Sequence, residues 1–211
     1  MRELRVAFHQ QLQEIDREVS GIFTMVAEDL RLATESLLSG DGEVLAIVTE
    51  REERIDALYE ELERLANEQL ALQGPVADEL RLLLSVLRVV PELERSHDLV
   101  VSIAGQATHS LHDSLSPRTK GLVQRMSDTG VGMWRDAQVA WEQRNHQAAD
   151  ELIDRDEEMD SLHAALIAEL ASGVMSVPVT MDMTLVARFY ERLGDHAVNV
   201  ARRVRFLAGL D

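Results

Sequence analysis

The 211-residue sequence predicts an all-α protein whose six long helices form two tandem, pseudo-symmetric three-helix bundles. Three observations support this prediction. Apolar residues recur with the period of an α-helix, the breaks between periodic stretches are short, and the first half of the chain aligns with the second. Aromatic residues make up only 4% of the sequence, which is low for a β-sandwich or barrel, because strands favour aromatic and β-branched residues.

Helical periodicity is clearest in two stretches in which Glu and Arg separate the apolar positions. The apolar residues are Val48, Ile55, Leu58, Leu62 and Leu65 in the first stretch and Leu152, Met159, Leu162, Leu166 and Leu170 in the second. At about 100° per residue, each set falls on one side of a helix. Good helix formers fill the intervening positions, so both stretches are predicted to be amphipathic helices.

Short breaks rich in Gly, Ser, Asn and Pro separate six helical stretches. The breaks lie at 39–42, 73–75, 114–117, 145–146 and 173–180. The predicted helices are therefore roughly 4–38, 42–72, 76–113, 117–144, 146–172 and 180–208. Long helices with short connections are typical of antiparallel bundles. Pro91 lies inside the third helix, where its missing N–H group and its ring predict a kink or a split.

The two halves of the chain align in two separate segments. At an offset of 104 positions, Val48–Leu58 matches Leu152–Leu162, with apolar residues on apolar and acids on acids almost throughout. At an offset of 97 positions, Glu94–Val100 matches Glu191–Ala197. The offsets differ by about two helical turns, which keeps the same helix face forward. Because two segments match in the same order, we predict a duplicated three-helix unit, residues 1–114 and 115–211, with a core in each copy.

Each matched segment contains an acidic residue followed four positions later by Asp. The four pairs are Glu52/Asp56, Glu94/Asp98, Asp156/Asp160 and Glu191/Asp195. Residues i and i+4 of a helix lie on one face, about 5–6 Å apart, where two like charges repel each other. A cation relieves this repulsion, and carboxylate oxygens are hard ligands that suit Mg, Ca, Mn or Fe. Two pairs on neighbouring helices would supply four carboxylates, enough for more than one metal ion.

The alternative for these pairs is a solvated acidic face with arginine partners. The candidate partners are Arg51, Arg54, Arg95 and Arg192. So acidic a chain contains some such pairs by composition alone, and a fifth pair is Asp150/Asp154. The recurrence of four pairs at equivalent repeat positions supports the metal interpretation, but the residues alone leave both interpretations open.

Two histidines and a C-terminal arginine cluster are further polar features. His97 and His196 flank the second Asp of their pairs. We interpret both as hydrogen-bonding or packing residues, with metal ligation as the alternative. We interpret Arg202, Arg203 and Arg205 as cations that stabilise the C-terminus of the last helix, with anion binding as the alternative.

Charge and composition exclude several classes of function. With 38 acidic residues against 21 Lys and Arg, the net charge is −17, which argues against binding to nucleic acids or to anionic membrane surfaces. The absence of cysteine excludes disulfides, thiolate metal sites and a cysteine nucleophile. No apolar stretch approaches the roughly 18 residues of a spanning helix, and the N-terminus lacks an apolar signal core. We therefore expect a cytoplasmic protein.

Two segments carry a resemblance to a known family. Glu191–Ala201, with the sequence ERLGDHAVNVA, closely resembles a signature of the PhoU family, and Asp154–Asp160, with the sequence DRDEEMD, resembles its other signature. The resemblance covers nearly the whole chain, including its length and its duplicated halves. The first half departs from it, because Glu94–Asp98 reads ERSHD, without the glycine and with His before Asp, and Pro91 lies one turn upstream.

The resemblance implies a PhoU-like fold and a cytoplasmic regulator of phosphate metabolism. PhoU proteins are accessories of the high-affinity phosphate transporter and hold the phosphate-starvation response off when phosphate is plentiful. They are thought to act by contacting the transporter ATPase and the sensor histidine kinase, and we expect a homodimer. Some members bind multinuclear iron or zinc through the acid-xxx-Asp motifs. By this resemblance, Glu52, Asp56, Glu94 and Asp98 would line one metal site, and Asp156, Asp160, Glu191 and Asp195 the other.

Two alternatives are a helical adaptor of another function and a di-metal carboxylate enzyme. Such enzymes use a Glu and a Glu-x-x-His motif twice. The sequence has this motif once, at Glu94–His97, and the aligned stretch of the second half has Gly194 in place of the histidine. Asp160 and His163 have the right spacing but a shorter acid. Since the chain also lacks GxSxG and a phosphate-binding glycine loop, we expect that it is not an enzyme.

Overall fold

The computed structural model describes the backbone of residues 2–209 and the side chains of residues 5–153 and 155–209. Within this part of the chain there are six long α-helices and no β-strands. They are α1 (Arg2–Ser39), α2 (Glu43–Gln73), α3 (Asp78–Gln106), α4 (Pro117–Gln143), α5 (His146–Leu170) and α6 (Val177–Leu207). The all-α prediction is confirmed. The side chain of Asp154, in the fifth acidic pair, lies outside the described residues.

Helix ends follow local chemistry. Ser116 caps α4, because the Thr119 N–H donates to its side-chain oxygen at 3.0 Å, and Asn145 accepts from the first N–H groups of α5. α6 begins at Val177, earlier than predicted, because Pro178 lies in the first turn, where a missing N–H costs nothing.

The third helix differs most from its prediction. It ends at Gln106 rather than near 113, and two 3₁₀ turns, Ala107–His109 and Leu111–Ser114, complete the connection to α4. Ser110 between them has a φ of 53°, a left-handed conformation that no α-helix continues through. The helix runs without interruption through Pro91, so the expected split does not occur.

The helices pack as two three-helix units that lie against each other. α2 packs against α3 and α5 against α6, while α1 contacts α4 and α3 contacts α6 between the units. The buried apolar residues of both units form one continuous cluster. The expectation of a separate core in each copy is therefore wrong: the apolar faces of α1 and α4, and of α3 and α6, cover each other.

Trp134 and Trp141 of α4 illustrate the shared core. Both are completely buried, and both rings lie beside Phe23 of α1, with centroids 6.1 and 6.3 Å away. A buried polar contact also joins the units, because the Thr34 hydroxyl is 2.6 Å from the Tyr190 hydroxyl and 2.8 Å from that of Ser127. The two units therefore form one packed body.

α3 and α6 run antiparallel along the contact between the units. Ser96 Oγ lies 2.9 Å from His196 Nδ1 at its middle, and residues 87–95 of α3 face residues 199–206 of α6. At the other end His109 lies 3.4 Å from Asp182. This arrangement places the acidic pairs of α2 and α3 in one unit and those of α5 and α6 in the other. Among the described residues, no helix combines the length and apolar character needed to cross a membrane.

Candidate metal centres

The first cluster comprises Glu52 and Asp56 of α2 and Glu94 and Asp98 of α3. Burial and the negative charge of Asp98 raise the pKa of Glu52, with a smaller contribution from Asp56. Burial and the charges of Asp98 and Asp56 likewise raise the pKa of Glu94. The carboxylates of both helices therefore act on one another, so the structure brings the two predicted pairs together.

The second cluster comprises Asp156 and Asp160 of α5 and Glu191 and Asp195 of α6. Burial, and then the charges of Asp160, Asp195 and Glu191 in that order of strength, together raise the pKa of Asp156 from 3.8 to about 6. The four acids of the second half are thus also brought together across two helices, as in the first half.

Each pair has the same orientation relative to the surface. The first acid of every pair is half-buried and the second is exposed. The half-buried acids are Glu52, Glu94, Asp156 and Glu191, and the exposed ones are Asp56, Asp98, Asp160 and Asp195. Both clusters therefore open to solvent along the edge between two helices, where an ion can enter without passing through the core.

Arginine partners account for little of this negative charge. Arg51 pairs with Asp29 and lies 3.7 Å from Glu28, and Arg95 pairs with Glu92, so neither forms an ion pair with a cluster acid. The charge of Arg95 nevertheless lowers the pKa of Glu94 in part. Within the described residues, Arg54 and Arg192 form no ion pair with a cluster carboxylate. The exception is Glu191, whose Oε1 accepts from Arg188 at 2.5 Å. In the described part of the chain, ion pairs with arginine therefore involve one of the eight cluster acids, Glu191.

Gly194 provides room for an acid of the second cluster. A Cβ atom at this position would lie 2.9 Å from Asp156 Oδ1 and 3.3 Å from Met159 Cγ. The Asp156 carboxylate therefore approaches the backbone of α6 at a point that any larger residue would fill. This contact gives a physical reason for glycine in the ERLGD segment.

The donor set and its placement fit a hard cation. Each cluster offers four carboxylates from two packed helices, and their mutual repulsion is the kind that a cation relieves. Among the described side chains, no three acidic or histidine groups already converge around one point. Binding an ion would therefore require carboxylates within a cluster to rotate towards a common centre.

A buried network behind the first cluster was missed by sequence reasoning. Asp29 of α1 is completely buried, and its Oδ2 lies 3.0 Å from Nε2 of His97, which is 1% exposed. Arg51 donates to the other oxygen of Asp29. The sequence does carry a signal, because Asp29 lies on the apolar stripe of α1 beside Val26 and Leu30, where a charge is unexpected.

The two histidines form hydrogen bonds, as the first of the two interpretations predicted. His97 Nε2 is engaged by Asp29, while its Nδ1 is buried without a hydrogen-bond partner among the described residues. His196 Nδ1 lies 2.9 Å from Ser96 Oγ across the contact between the units, and burial lowers the pKa of His196.

A search of known families and proteins identifies clear relatives. A family model described as the PhoU domain matches residues 19–107 and 123–204. The chain is 32% identical to "Phosphate-specific transport system accessory protein PhoU homolog 2" of Mycobacterium tuberculosis, over 97% of this chain and 98% of the relative. It is 29% identical to a PhoU homolog of Caulobacter vibrioides, over 95% and 89%.

Solved structures share the fold. The crystal structure of PhoU from Pseudomonas aeruginosa matches with a TM-score of 0.88 at 24% identity, over 96% of this chain and 99% of that one. The phosphate transport system regulatory protein PhoU from Streptococcus pneumoniae matches with a TM-score of 0.86 at 24% identity, over 95% and 96%. These likenesses confirm the predicted arrangement of two pseudo-symmetric three-helix units.

Proposed function

Since the chain belongs to the PhoU family, we propose that it regulates phosphate uptake and holds the phosphate-starvation response off when phosphate is plentiful. The observation that carries this proposal is the family match in both halves of the chain, residues 19–107 and 123–204. The Mycobacterium and Caulobacter relatives are named as accessory proteins of phosphate-specific transport systems. We also propose that the protein acts in the cytoplasm as a homodimer, through contacts with other proteins and not by catalysis.

The proposed partners are the transporter ATPase and the sensor histidine kinase. Contact with both would let one protein couple the state of the transporter to the output of the kinase. The strong negative charge of the chain supports contacts with proteins over contacts with anionic lipid or nucleic acid.

We further propose that both carboxylate clusters bind metal ions, with iron or zinc as the leading candidates and magnesium or manganese as alternatives. Two observations support this: four acids from two helices act on one another in each half, and arginine neutralises few of them. Bound metal would neutralise the clustered charge and link α2 to α3 and α5 to α6. The pair of helices at each edge would then be held in one arrangement for partner binding.

A reporter of the phosphate-starvation response in a deletion strain tests the regulatory proposal. At high phosphate, deletion should release the reporter, and the wild-type gene supplied in trans should restore repression. Repression that persists in the deletion strain would contradict the proposal. Co-purification with the transporter ATPase and with the sensor kinase then tests each partner separately.

The adaptor and enzyme alternatives predict different outcomes. A metal-binding adaptor of another function would retain its metal and co-purify with neither partner. The di-metal enzyme receives little support from the geometry, because His97 of the single Glu-x-x-His motif is bound to Asp29 and Gly194 stands at the equivalent position of the second half.

A further inference from the structure

A basic groove lies between α3 and α6, outside both carboxylate clusters. It has a volume of about 720 Å³ and is lined by five arginines together with Glu92 and apolar side chains. The arginines are Arg88 and Arg95 of α3 and Arg202, Arg203 and Arg205 of α6. The whole chain has only 21 Lys and Arg and a net charge of −17. Five arginines in one groove are therefore an unusual concentration of positive charge for this protein.

Two of the five arginines have carboxylate partners. Arg95 Nη2 lies 2.8 Å from Glu92, and Arg205 Nη1 lies 3.2 Å from Asp150. Arg88, Arg202 and Arg203 form no ion pair with any carboxylate among the described residues, although Arg202 also donates to Asn199 Oδ1 at 3.2 Å. Three guanidinium groups therefore line one groove without an ion pair to a carboxylate in the described part of the chain, although the charge of Arg202 acts on Asp156.

Arg88 and Arg203 repel each other electrostatically. Arg203 is half-buried, and both its burial and the positive charge of Arg88 lower its pKa. Arg203 also stacks on Phe206, with its guanidinium carbon 5.6 Å from the ring centroid. The helices thus hold like charges close together at a cost that a bound anion would remove.

The three arginines without an ion pair are not needed to build the repeated unit. At the offset of 97 positions, the counterpart of Arg88 is Leu185, and the counterparts of Arg202 and Arg203 are Gly105 and Gln106. The other end of the α3–α6 contact therefore packs without this charge. Stabilising the C-terminus of α6 accounts for Arg205, which lies in the last turn, but not for the convergence of Arg88 with Arg202 and Arg203.

We propose that this groove binds a small phosphate-bearing anion. Three guanidinium groups around one cavity match an acceptor with about two negative charges and three oxygens better than a carboxylate with one charge and two oxygens. The volume is that of a small-molecule site, and Leu87, Pro91 and Phe206 provide an apolar wall for an organic part. The site goes beyond the proposed regulation and requires no metal ion.

Calorimetric titration of the full-length protein tests this site. Orthophosphate, pyrophosphate and ADP are titrated at low salt into protein that has been stripped of metal with a chelator and exchanged into chelator-free buffer, so that anion bound through a metal is excluded. Saturable binding of at least one of them, with a Kd below about 1 mM, is expected. Binding of orthophosphate or pyrophosphate alone identifies an inorganic ligand, whereas tighter binding of ADP identifies an organic one.

Two matched double variants locate the site. Arg88→Gln/Arg203→Gln should weaken binding at least about tenfold, since hydrogen bonds to charged groups are among the strong ones. Arg125→Gln/Arg135→Gln removes the same charge from exposed positions of α4 and should change the Kd less than about twofold by screened long-range effects. Because Arg203 also packs on Phe206, Arg88→Gln alone serves if the double variant does not fold.

Three results would overturn the proposal. The first is the absence of saturable binding by all three phosphate compounds. The second is equal weakening by the groove variant and the α4 variant, which would indicate a net-charge effect. The third is citrate binding as tightly as the best phosphate compound, which would assign the groove to polyanions in general.

Discussion

The two carboxylate clusters lie at equivalent positions of the repeat, but the residues around them differ. In the first half, the helix behind the cluster supplies buried Asp29, which binds His97 and Arg51. The repeat offsets of 104 and 97 place Met133 and Gly194 at the positions of Asp29 and His97. The structure agrees, because a Cβ on Gly194 would lie 3.7 Å from Met133 Cε.

This difference shows how a duplicated scaffold can balance the same charges in two ways. In the first half, His97 lowers the pKa of Glu52 and partly offsets the effect of burial. In the second half an apolar residue and a glycine replace that network, and Asp156 reaches a pKa of about 6. The second cluster therefore depends more on a cation, and the first more on its buried network.

The largest expected effect is the loss of that network. Asp29→Ala should lower the free energy of unfolding by about 3 kcal/mol, because it leaves buried His97 without its partner, as when one member of a buried ion pair is removed. Arg51 is 35% exposed and can turn to solvent, which keeps the loss at the lower end of that class. Chemical denaturation at pH 7 measures it.

Replacing Asp29 and His97 by the residues at the equivalent second-half positions tests whether the two act together. Asp29→Met/His97→Gly should cost less than the sum of Asp29→Met and His97→Gly, because the coupled pair is removed together. Additive costs would show that Asp29 and His97 do not act as a unit.

A smaller effect is expected at the glycine of the second cluster. Gly194→Ala should be about 1–2 kcal/mol less favourable than a Gly→Ala change in an open part of a helix, because the Asp156 carboxylate must turn away and Met159 must shift to admit the Cβ. Gly21→Ala in the middle of α1, where nothing lies within 4 Å of a Cβ, is the matched control and should stabilise by up to about 1 kcal/mol. Equal gains from both substitutions would refute the close contact at Gly194.

The smallest expected effect is on pH dependence. In metal-free protein, Asp156 has its pKa raised from 3.8 to about 6, so the folded state binds its proton more tightly than the unfolded state does. Its contribution to stability should therefore increase as the pH falls through about 6 towards 3.8. The gain should not exceed about 1 kcal/mol, because solvent screens the carboxylate.

The variant Asp156→Asn isolates this contribution. Relative to Asp156→Asn, wild type should gain unfolding free energy when the pH falls from 7 to 4.5. The corresponding gain relative to Glu52→Gln should be smaller. A larger change for Glu52→Gln would reverse the comparison of the two clusters.

Much of this architecture could be predicted from the sequence, because it depends on local patterns. Helical periodicity and the Gly and Pro breaks locate the six helices, and repeat matching identifies all eight cluster acids. The end of α3 could not be predicted, since the turn at Ser110 has no distinctive sequence. The Asp29–His97 contact joins residues 68 positions apart, and the shared core and the arginine groove depend on how α3 meets α6, which no local pattern specifies.

Both carboxylate clusters are proposed to be cation sites, and metal analysis tests this proposal most directly. The metal content of purified wild-type protein is compared with that of Asp56→Asn/Asp98→Asn and of Asp160→Asn/Asp195→Asn, after helical content is shown to be unchanged. A third variant combines all four substitutions. We expect each double variant to lose the metal of its own cluster and the combined variant to lose nearly all of it. Metal content that is the same in wild type and in all three variants would contradict the account.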